Sequence, residues 1–256
     1  ACVKHFAGYG APEAGRDYNT VELSQHTLRQ FYLPAYEAGI HAGAALTMAS
    51  FNTLEGIPAT GNLWLMREVL RKEIGFEGVL ISDWSAIEEM ISHGYCADRK
   101  EAALRAVMAG VDIDMMSGVY AEHLVRLVRE GQVAETLIDE AVMRILELKN
   151  NLGLFENPYP DSDENEASRL FLCQEHREFA RKAARESFVL LKNDGILPLA
   201  GEKKTAFIGP YVGSQNLIGS WSLTGDVKDV TTLKKALLEQ GPNQDMAFAQ
   251  GSPMLD

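Results

Sequence analysis

The sequence predicts an α/β protein, made of the second half of a (β/α)8 TIM-type barrel followed by the start of a second α/β domain. Short apolar runs alternate with helical patterns, and the runs end near positions 5, 48, 83 and 115, between 32 and 43 residues apart. Each interval holds one or two predicted helices, which is the pattern of a parallel sheet built from β/α units. Four units in about 150 residues correspond to half of an eightfold barrel, which usually takes about 250 residues. A small, open, doubly wound sheet is the alternative fold.

The individual elements follow from the periodicity of apolar residues and from the Gly, Pro and capping residues between them. Strands are predicted over 2–6, 44–48, 79–81 and 111–115. Helices are predicted over 21–38, 62–73, 86–92, 99–109, 121–130 and 134–151, and Asn62 is the expected N-cap of the second. Residues 1–154 are therefore assigned to the barrel half.

The remaining residues change in composition. The stretch 156–166 is acidic, contains proline and has few apolar residues, which is typical of a linker. An amphipathic helix is predicted over 167–186, so that 155–200 form a linker and a connecting helix. A strand over 205–208 and a helix over 233–238 indicate that 201–256 begin a second α/β domain.

Charge and cysteine content exclude several classes of function. The formal charge is −12 and the pI is near 5.0, which argues against nucleic acid or an anionic membrane surface as a partner. No apolar run approaches the ~20 residues of a membrane-spanning helix, so no membrane insertion is predicted. The three cysteines, Cys2, Cys96 and Cys173, form no CxxC pair and are interpreted as buried thiols rather than disulfides. The abrupt ends of the sequence predict a piece of a longer protein. Neither the compartment of that protein nor whether it forms a homo-oligomer is predicted from these features.

Asp83 and Trp84 follow the third predicted strand, in the stretch GVLISDWS at 78–85. In α/β folds, ligands bind at the carboxyl ends of the strands. A carboxylate beside a large flat aromatic side chain at that edge suggests a sugar site. The alternative is that Asp83 caps the helix that begins near Ala86. The neighbouring strand ends favour the sugar site, because they also carry polar side chains.

Lys4 and His5 end the first predicted strand, where they offer donors, an acceptor and a charge that can grip neighbouring hydroxyl groups. If Asp83 and Trp84 lie at the same edge, ligand binding explains this pair better than a solvated surface pair does. A Schiff-base lysine is the less favoured alternative for Lys4, because the same strand offers no carboxylate to relay protons.

Met48 and Phe51 follow the second predicted strand, where they can form an apolar wall against one face of a sugar. Asp112 and Asp114 alternate with apolar residues in the fourth predicted strand. One of them is expected to pair with Lys4 across the barrel mouth rather than to bind a metal ion. No GxGxxG, P-loop or GxSxG motif and no helically spaced pair of histidines occurs, so neither a metal nor an organic cofactor is predicted.

Six motifs occur in the same order as in glycoside hydrolase family 3, which nearly the whole chain resembles. They are KHFAGYG at 4–10, MASFN at 48–52, SDW at 82–84, GVDIDM at 110–115, ESFVLLKN at 186–193 and LPL at 197–199. The stretch GSWS at 219–222 is similar to bacterial, often periplasmic, β-glucosidases of that family. Each motif alone is weak evidence, but six of them in register are specific.

The resemblance implies a retaining exo-β-glycosidase that releases terminal β-D-glucosyl residues from β-glucosides and oligosaccharides through a covalent glycosyl-enzyme, without a cofactor. It also implies that the barrel is followed by an α/β sandwich, with the active site between the two domains. Asp83 stands at the position of the family's nucleophile, and Lys4 and His5 stand at positions of its sugar ligands. Trp84 and Trp221 stand at positions expected to border the same site.

The sequence also departs from the family pattern or stops short of it. The family's acid/base glutamate lies beyond position 256, so the rest of the same protein is expected to complete the barrel and the site, and residues 1–256 alone are expected to be inactive. Were they active, Asp112, Asp114 and Glu55 would be the candidates for a second carboxylate. Phe51 replaces a tyrosine common in the family and lacks its hydroxyl group.

Three further expectations concern the choice among related functions. The N-acetylglucosaminidase branch of the family carries an additional histidine after Lys-His-Phe, and none occurs between Phe6 and Gln25, which argues against that branch. A β-xylosidase of the same family and a non-catalytic carbohydrate-binding relic are the alternatives to a β-glucosidase. The resemblance favours a periplasmic or secreted protein, with the cytoplasm as the alternative.

Overall fold

The structure is a computed structural model that describes residues 1–159, 164–199, 203–219, 222, 225–241 and 245–252. It divides into two compact units, Ala1–Ser162 and Asp163–Asp256. Within the described residues, no helix has both the length and the apolar character needed to cross a membrane.

The first unit contains six short strands and six helices within its described residues. The strands are β1 (Cys2–Phe6), β2 (Thr20–Val21), β3 (Leu46–Ala49), β4 (Thr53–Leu54), β5 (Ile57–Pro58) and β6 (Val79–Ile81). Helix α1 consists of three consecutive stretches, Gln25–Thr27, the π-helical Leu28–Tyr32 and Leu33–His41. The others are the π-helical α2 (Trp64–Glu73), α3 (Ala86–Ser92), α4 (Arg99–Ala109), α5 (Val119–Arg129) and α6 (Glu135–Asn151).

The central sheet of this unit is parallel and has the strand order β1-β3-β6, which is the order of the sequence. Val3 is level with Thr47, and Thr47 with Leu80, while Met48 is level with Ile81. The carboxyl ends of the three strands therefore meet along one edge, here called the rim. The predicted succession of parallel β/α units is confirmed over these strands.

The predicted strand over 111–115 is wrong as a regular strand, because this fully described stretch makes a single bridge to β6. Two side chains take the place of ladder hydrogen bonds. Asp112 Oδ2 accepts from the N–H of Leu80 at 2.8 Å, and Ser82 Oγ accepts from the N–H of Met115 at 2.9 Å. The segment still runs beside β6, since the N–H of Ser82 donates to the carbonyl oxygen of Ile113 at 3.0 Å.

The first predicted helix, over 21–38, begins later than expected. Ser24 is its N-cap, and Ser24 Oγ accepts from the N–H of Thr27 at 3.1 Å. Serine satisfies the unpaired N–H groups of a first helical turn better than most residues do. Val21 belongs instead to β2, which pairs in parallel with β4.

Strands β4 and β5 form an antiparallel hairpin in a stretch where the sequence predicts neither a strand nor a helix. Its two turn residues, Glu55 and Gly56, have φ values of 51° and 78°. Positive φ at both positions is what a two-residue type I′ turn requires. Glu55 is exposed at the tip of this hairpin, and β2 attaches the hairpin to the loop that follows β1.

The helices pack their apolar faces on the sheet and on each other. Asn62 Oδ1 accepts from the N–H of Leu65 at 3.0 Å, which confirms the predicted cap before α2. In α4 the buried face is made of alanines, among them Ala102, Ala103 and Ala106, all without solvent exposure. Small side chains allow α4 to lie close to both α3 and α5.

Gly78 precedes β6 at a close approach between backbones, and Gly78→Ala is expected to destabilise the fold by about 1–3 kcal/mol, the usual range for overpacking. A Cβ there would lie 2.4 Å from the carbonyl oxygen of Ala45 and 2.8 Å from the ring of Phe76. Thermal unfolding of the full-length protein measures the effect. Gly10→Ala is the control, because no atom lies within 4 Å of a Cβ at that position. An equal loss of thermal stability in both variants would contradict the prediction.

The second unit contains α7 (Glu164–Leu170), α8 (Gln174–Ser187), β7 (Thr205–Ile208), α9 (Leu233–Gln240) and β8 (Met246–Ala249) among its described residues. The prediction of a single helix over 167–186 is wrong. The helix is interrupted between α7 and α8, where Leu172 has a φ of 53°. Strands β7 and β8 are parallel and α9 lies between them in the sequence. The sequence analysis missed β8, which completes a β/α/β unit and supports the predicted start of an α/β domain.

Candidate active site

Asp83 lies two residues beyond the end of β6, at the rim, and is 7% exposed. Its Oδ1 accepts from the N–H of Trp84 at 2.7 Å. Its Oδ2 is buried and has no hydrogen-bond partner within the part of the chain that the structure describes. The N–H of Ala86, at the start of α3, donates to the main-chain oxygen of Asp83 at 3.2 Å, so the carboxylate does not serve as the cap of that helix. One carboxylate oxygen is thus held by a main-chain N–H, while the other makes no hydrogen bond.

His5 lies beside the unpartnered oxygen, with its Nε2 3.4 Å from Asp83 Oδ2. Burial lowers the pKa of His5 below its usual 6.5 and outweighs the charge of Asp83, which acts in the opposite direction. The imidazole is therefore neutral at pH 7 and offers one donor and one acceptor. Tyr36 on α1 donates its hydroxyl group to the main-chain oxygen of His5, which ties the end of β1 to the helix.

Lys4 and Met48 lie at the same rim as His5. Lys4 is exposed and Met48 is half-buried, and the peptide bond between Lys4 and His5 is cis. The expected ion pair between Lys4 and either Asp112 or Asp114 is wrong. Lys4 Nζ makes no ion pair with any described residue, because both carboxylates are engaged elsewhere.

Asp112 and Asp114 have structural partners. Asp112 Oδ2 lies 2.9 Å from Arg71, and its Oδ1 lies 3.1 Å from Arg144, while the carboxylate itself is 1% exposed. Asp114 Oδ1 accepts from the hydroxyl group of Ser117 at 2.5 Å. Neither side chain is placed to take part in chemistry at Asp83 Oδ2.

The aromatic side chains of the rim differ in exposure. Phe51 is 4% exposed, and its ring centroid lies 4.3 Å from that of Tyr18 and 6.1 Å from that of Tyr9. Phe51 therefore leaves little surface for a sugar to contact. Trp84 is 56% exposed and presents its ring to solvent next to Asp83. Trp221, the other predicted aromatic border, lies outside the described residues.

Three residues at the rim were not predicted from the sequence as site residues. Tyr9 and Asp17 come from the loop after β1, where the Tyr9 hydroxyl group donates to Asp17 Oδ1. Glu89 on α3 has a raised pKa because it is partly buried and because the charges of Asp83 and Asp17 are near. No periodic pattern marks these positions, since the loop has none and Glu89 reads as one polar residue in an amphipathic helix.

Metal-ligating side chains do not gather at the rim. Across the described residues, no group of three or more His, Cys, Asp and Glu side chains is arranged to hold a metal ion. The chemistry that the rim offers is that of a buried carboxylate, a neutral imidazole, an ammonium group and an exposed indole.

A sequence model described as the glycosyl hydrolase family 3 N terminal domain matches residues 1–148, which is more than half of the chain. The chain belongs to glycosyl hydrolase family 3. The resemblance inferred from the order of the motifs is therefore confirmed.

Relatives and solved structures agree with this membership. The chain is 41% identical to the periplasmic β-glucosidase of Salmonella typhimurium, over 98% of this chain and 34% of that protein. It is 33% identical to a β-xylosidase of Formosa agariphila, over 87% of this chain and 33% of that protein. A crystal structure of the β-glucosidase from Listeria innocua in complex with gluconolactone matches with a TM-score of 0.84 and 48% identity, over 100% of this chain and 35% of that chain.

The chain spans about a third of the length of these relatives. Over the part that it shares with them, the predicted fold class is confirmed, with β/α units of a TIM-type barrel in the first unit and a β/α/β unit in the second. The alternative of a small, open, doubly wound sheet is excluded.

Proposed function

We propose that the full-length protein is a retaining exo-β-glucosidase with Asp83 as its nucleophile. The observation that carries this proposal is the state of the Asp83 carboxylate, with Oδ1 held by the N–H of Trp84 and Oδ2 buried and unpartnered. A nucleophile needs one oxygen fixed for orientation and a free lone pair aimed at the substrate.

The reaction divides into two displacements. Asp83 Oδ2 forms a bond to the anomeric carbon while the bond from that carbon to the glycosidic oxygen breaks, and the departing oxygen takes a proton from an acid/base carboxyl group. Water then attacks the anomeric carbon, the acid/base group removes its proton, and Asp83 is released. We assign the acid/base group to sequence outside residues 1–256, as the family resemblance implies.

The remaining rim residues bind the sugar in this proposal. Lys4 and His5 donate to neighbouring hydroxyl groups, and the absence of a described ion-pair partner leaves Lys4 Nζ available for that role. Met48 contacts the apolar face of the sugar ring. Trp84 borders the leaving-group side, whereas Phe51 packs against Tyr9 and Tyr18 more than it contacts the sugar.

Substrate class and compartment follow from the relatives by analogy. The relative at 41% identity is a β-glucosidase and the one at 33% is a β-xylosidase, so a glucoside is the first choice and a xyloside the second. The former is periplasmic, and we therefore place this protein in the periplasm or outside the cell.

The stereochemistry of the product tests the mechanism. The full-length protein is incubated with aryl β-glucoside and aryl β-xyloside, and the first sugar released is observed by proton NMR. β-Glucose as the first product, with the glucoside cleaved faster, is expected. α-Glucose as the first product would exclude the covalent mechanism. Faster cleavage of the xyloside would identify the protein as a β-xylosidase. Sugar binding without cleavage would identify a non-catalytic relic.

A further inference from the structure

Tyr9 lies against the imidazole of His5 from the side of the loop after β1. The two ring centroids are 4.8 Å apart and the ring planes are inclined by 55°. The backbone of His5 is held separately, because the Tyr36 hydroxyl group donates to its main-chain oxygen. The Tyr36 contact fixes only the backbone, so the orientation of the imidazole depends on what packs against the ring.

The hydroxyl group of Tyr9 donates to Asp17 Oδ1. The same oxygen accepts the N–H of Tyr18 at 3.1 Å, which sets the direction of the carboxylate. Asp17 and Tyr9 lie at the two ends of one loop, and the hydrogen bond between their side chains joins those ends.

This loop is itself attached to the sheet. At its start, Ser50 Oγ and Asn52 Nδ2 donate to the main-chain oxygen of Ala7 at 3.3 and 3.4 Å. Asn19 Nδ2 donates to the main-chain oxygen of Glu13 at 3.1 Å, just before the chain enters β2 and its pairing with β4. Anchors at both ends make the loop a rigid support for the Tyr9 ring.

Two properties suit this arrangement to positioning. Burial raises the pKa of Tyr9, and the hydrogen bond to Asp17 raises it further, so the phenol stays protonated and remains a donor. Because Asp17 accepts the proton of the Tyr9 hydroxyl group, that group has no proton left to donate to a sugar.

We propose that Tyr9 and Asp17 are positioning residues that hold the imidazole of His5 at the angle needed to bind a substrate hydroxyl group beside Asp83 Oδ2. The inference rests on the proposed function, because it assumes that His5 binds a hydroxyl group of the sugar. Neither residue touches the substrate; both act through the His5 ring.

The test is a double-mutant cycle on the full-length protein. Tyr9→Phe removes the hydroxyl group but keeps the ring, and is expected to lower kcat/KM for an aryl β-glucoside by about tenfold, less than the ~10²-fold that a misplacement of 1 Å can cost. In a His5→Ala background the same change is expected to cost less than about twofold, because residues that act through one another are not additive. Asp17→Asn keeps an acceptor and is expected to retain most of the activity that Asp17→Ala loses.

Tyr18→Phe is the matched control. Its ring belongs to the same aromatic cluster, yet its hydroxyl group contacts neither His5 nor Asp17, so no loss is expected. Additive losses for Tyr9→Phe and His5→Ala, or an equal loss in Tyr18→Phe, would mean that Tyr9 has a general structural role and would overturn the proposal.

A second readout does not depend on catalysis. The imidazole resonances of His5, observed in histidine-labelled protein, are expected to shift in Tyr9→Phe and to stay in place in Tyr18→Phe. If the wild-type protein cleaves no β-glycoside, the proposed function fails while the resonances still decide whether Tyr9 orients His5. If cleavage is observed and the resonances do not move, the positioning proposal alone is refuted.

Discussion

Replacing Asp83 with alanine is expected to lower kcat/KM for aryl β-glucosides by about 10⁴-fold or more, the order of loss found when the nucleophile of a covalent mechanism is removed. The variant has no atom that can form the glycosyl-enzyme bond, and it also lacks the negative charge that stabilises the oxocarbenium-like transition state. Initial rates on the full-length protein, with the wild-type enzyme assayed in parallel, measure the loss.

Sugar binding and folding separate a chemical loss from a structural one. Lys4 and His5 remain in Asp83→Ala, so binding of glucose is expected to persist within about tenfold, since hydrogen bonds to the hydroxyl groups do not require the nucleophile. The melting temperature is expected to fall only slightly, because the one hydrogen bond that the Asp83 side chain loses comes from the N–H of the adjacent Trp84. A rate within tenfold of wild type would remove Asp83 from the role of nucleophile, and Glu89 would be the next carboxylate to examine.

Added azide offers a positive signal for the same variant. A small anion can occupy the space that the carboxylate leaves and attack the anomeric carbon from the same face. An α-glucosyl azide and the free aryl alcohol would then be the products. Its appearance only in Asp83→Ala would place the missing nucleophile at position 83.

Sequence alone predicts the rim because the geometry of parallel strands leaves little freedom. Lys4, Met48 and Asp83 each end an apolar run, and strands that pair in parallel and in sequence order must bring those ends to one edge. The register of β1, β3 and β6 then fixes their levels. Identifying three strand ends correctly was therefore enough to place Lys4, Met48 and Asp83 at one rim.

The loop after β1 was not predictable in the same way. Tyr9 and Asp17 meet because the loop folds back on itself, and the seven residues between them, rich in Gly, Ala and Pro, carry no periodicity that would indicate the contact. Its attachment through β2 to β4 depends on a two-residue strand, which is shorter than any pattern that sequence can indicate. Rim residues supplied by strands were found, whereas those supplied by this loop were missed.

For Asp112, the sequence analysis predicted an ion pair correctly but assigned it to the wrong partner, Lys4. Alternation in 111–115 suggested a regular strand that would aim Asp112 or Asp114 at the barrel mouth. The carboxylate of Asp112 instead turns toward β6 and takes the N–H of Leu80, so it replaces a backbone acceptor. Arg71 and Arg144 reach it from α2 and α6, through contacts 41 and 32 residues apart in sequence that no local pattern reveals.

The second large effect is expected in stability, where Asp112→Ala should lower the free energy of unfolding by about 3–5 kcal/mol, the usual cost of removing one partner from a buried ion pair. The variant would leave the Arg71 guanidinium group, whose side chain is 13% exposed, without a counter-charge. Arg144, at 19% exposure, would keep only its longer contact to Glu140, at 3.6 Å. The N–H of Leu80 would also lose its acceptor. Burial lowers the pKa of Arg71 to about 10 even with Asp112 present, which indicates how strongly this site disfavours an unpaired positive charge.

Removing a carboxylate from an exposed ion pair is the control for Asp112→Ala. Glu68 pairs with Lys72 on the exposed face of α2, at 2.7 Å, with both side chains largely in solvent. Glu68→Ala is expected to cost less than about 1 kcal/mol, as exposed pairs do. Denaturant unfolding followed by a probe of the barrel unit compares the two variants, and similar losses would contradict the role assigned to burial.

Removing the positive charges together with the negative one decides whether an unpaired charge is the cause. In Asp112→Ala with Arg71→Met and Arg144→Met, no charge is left buried, and replacing a buried ion network by apolar side chains of similar volume is often neutral. The triple variant is therefore expected to regain most of the stability that Asp112→Ala loses, with the Leu80 N–H accounting for about 1–3 kcal/mol that is not regained. If the triple variant is less stable than Asp112→Ala, the arginines stabilise the first unit through their packing and main-chain contacts, such as the 2.9 Å hydrogen bond from Arg71 to the carbonyl oxygen of Phe76, more than through charge.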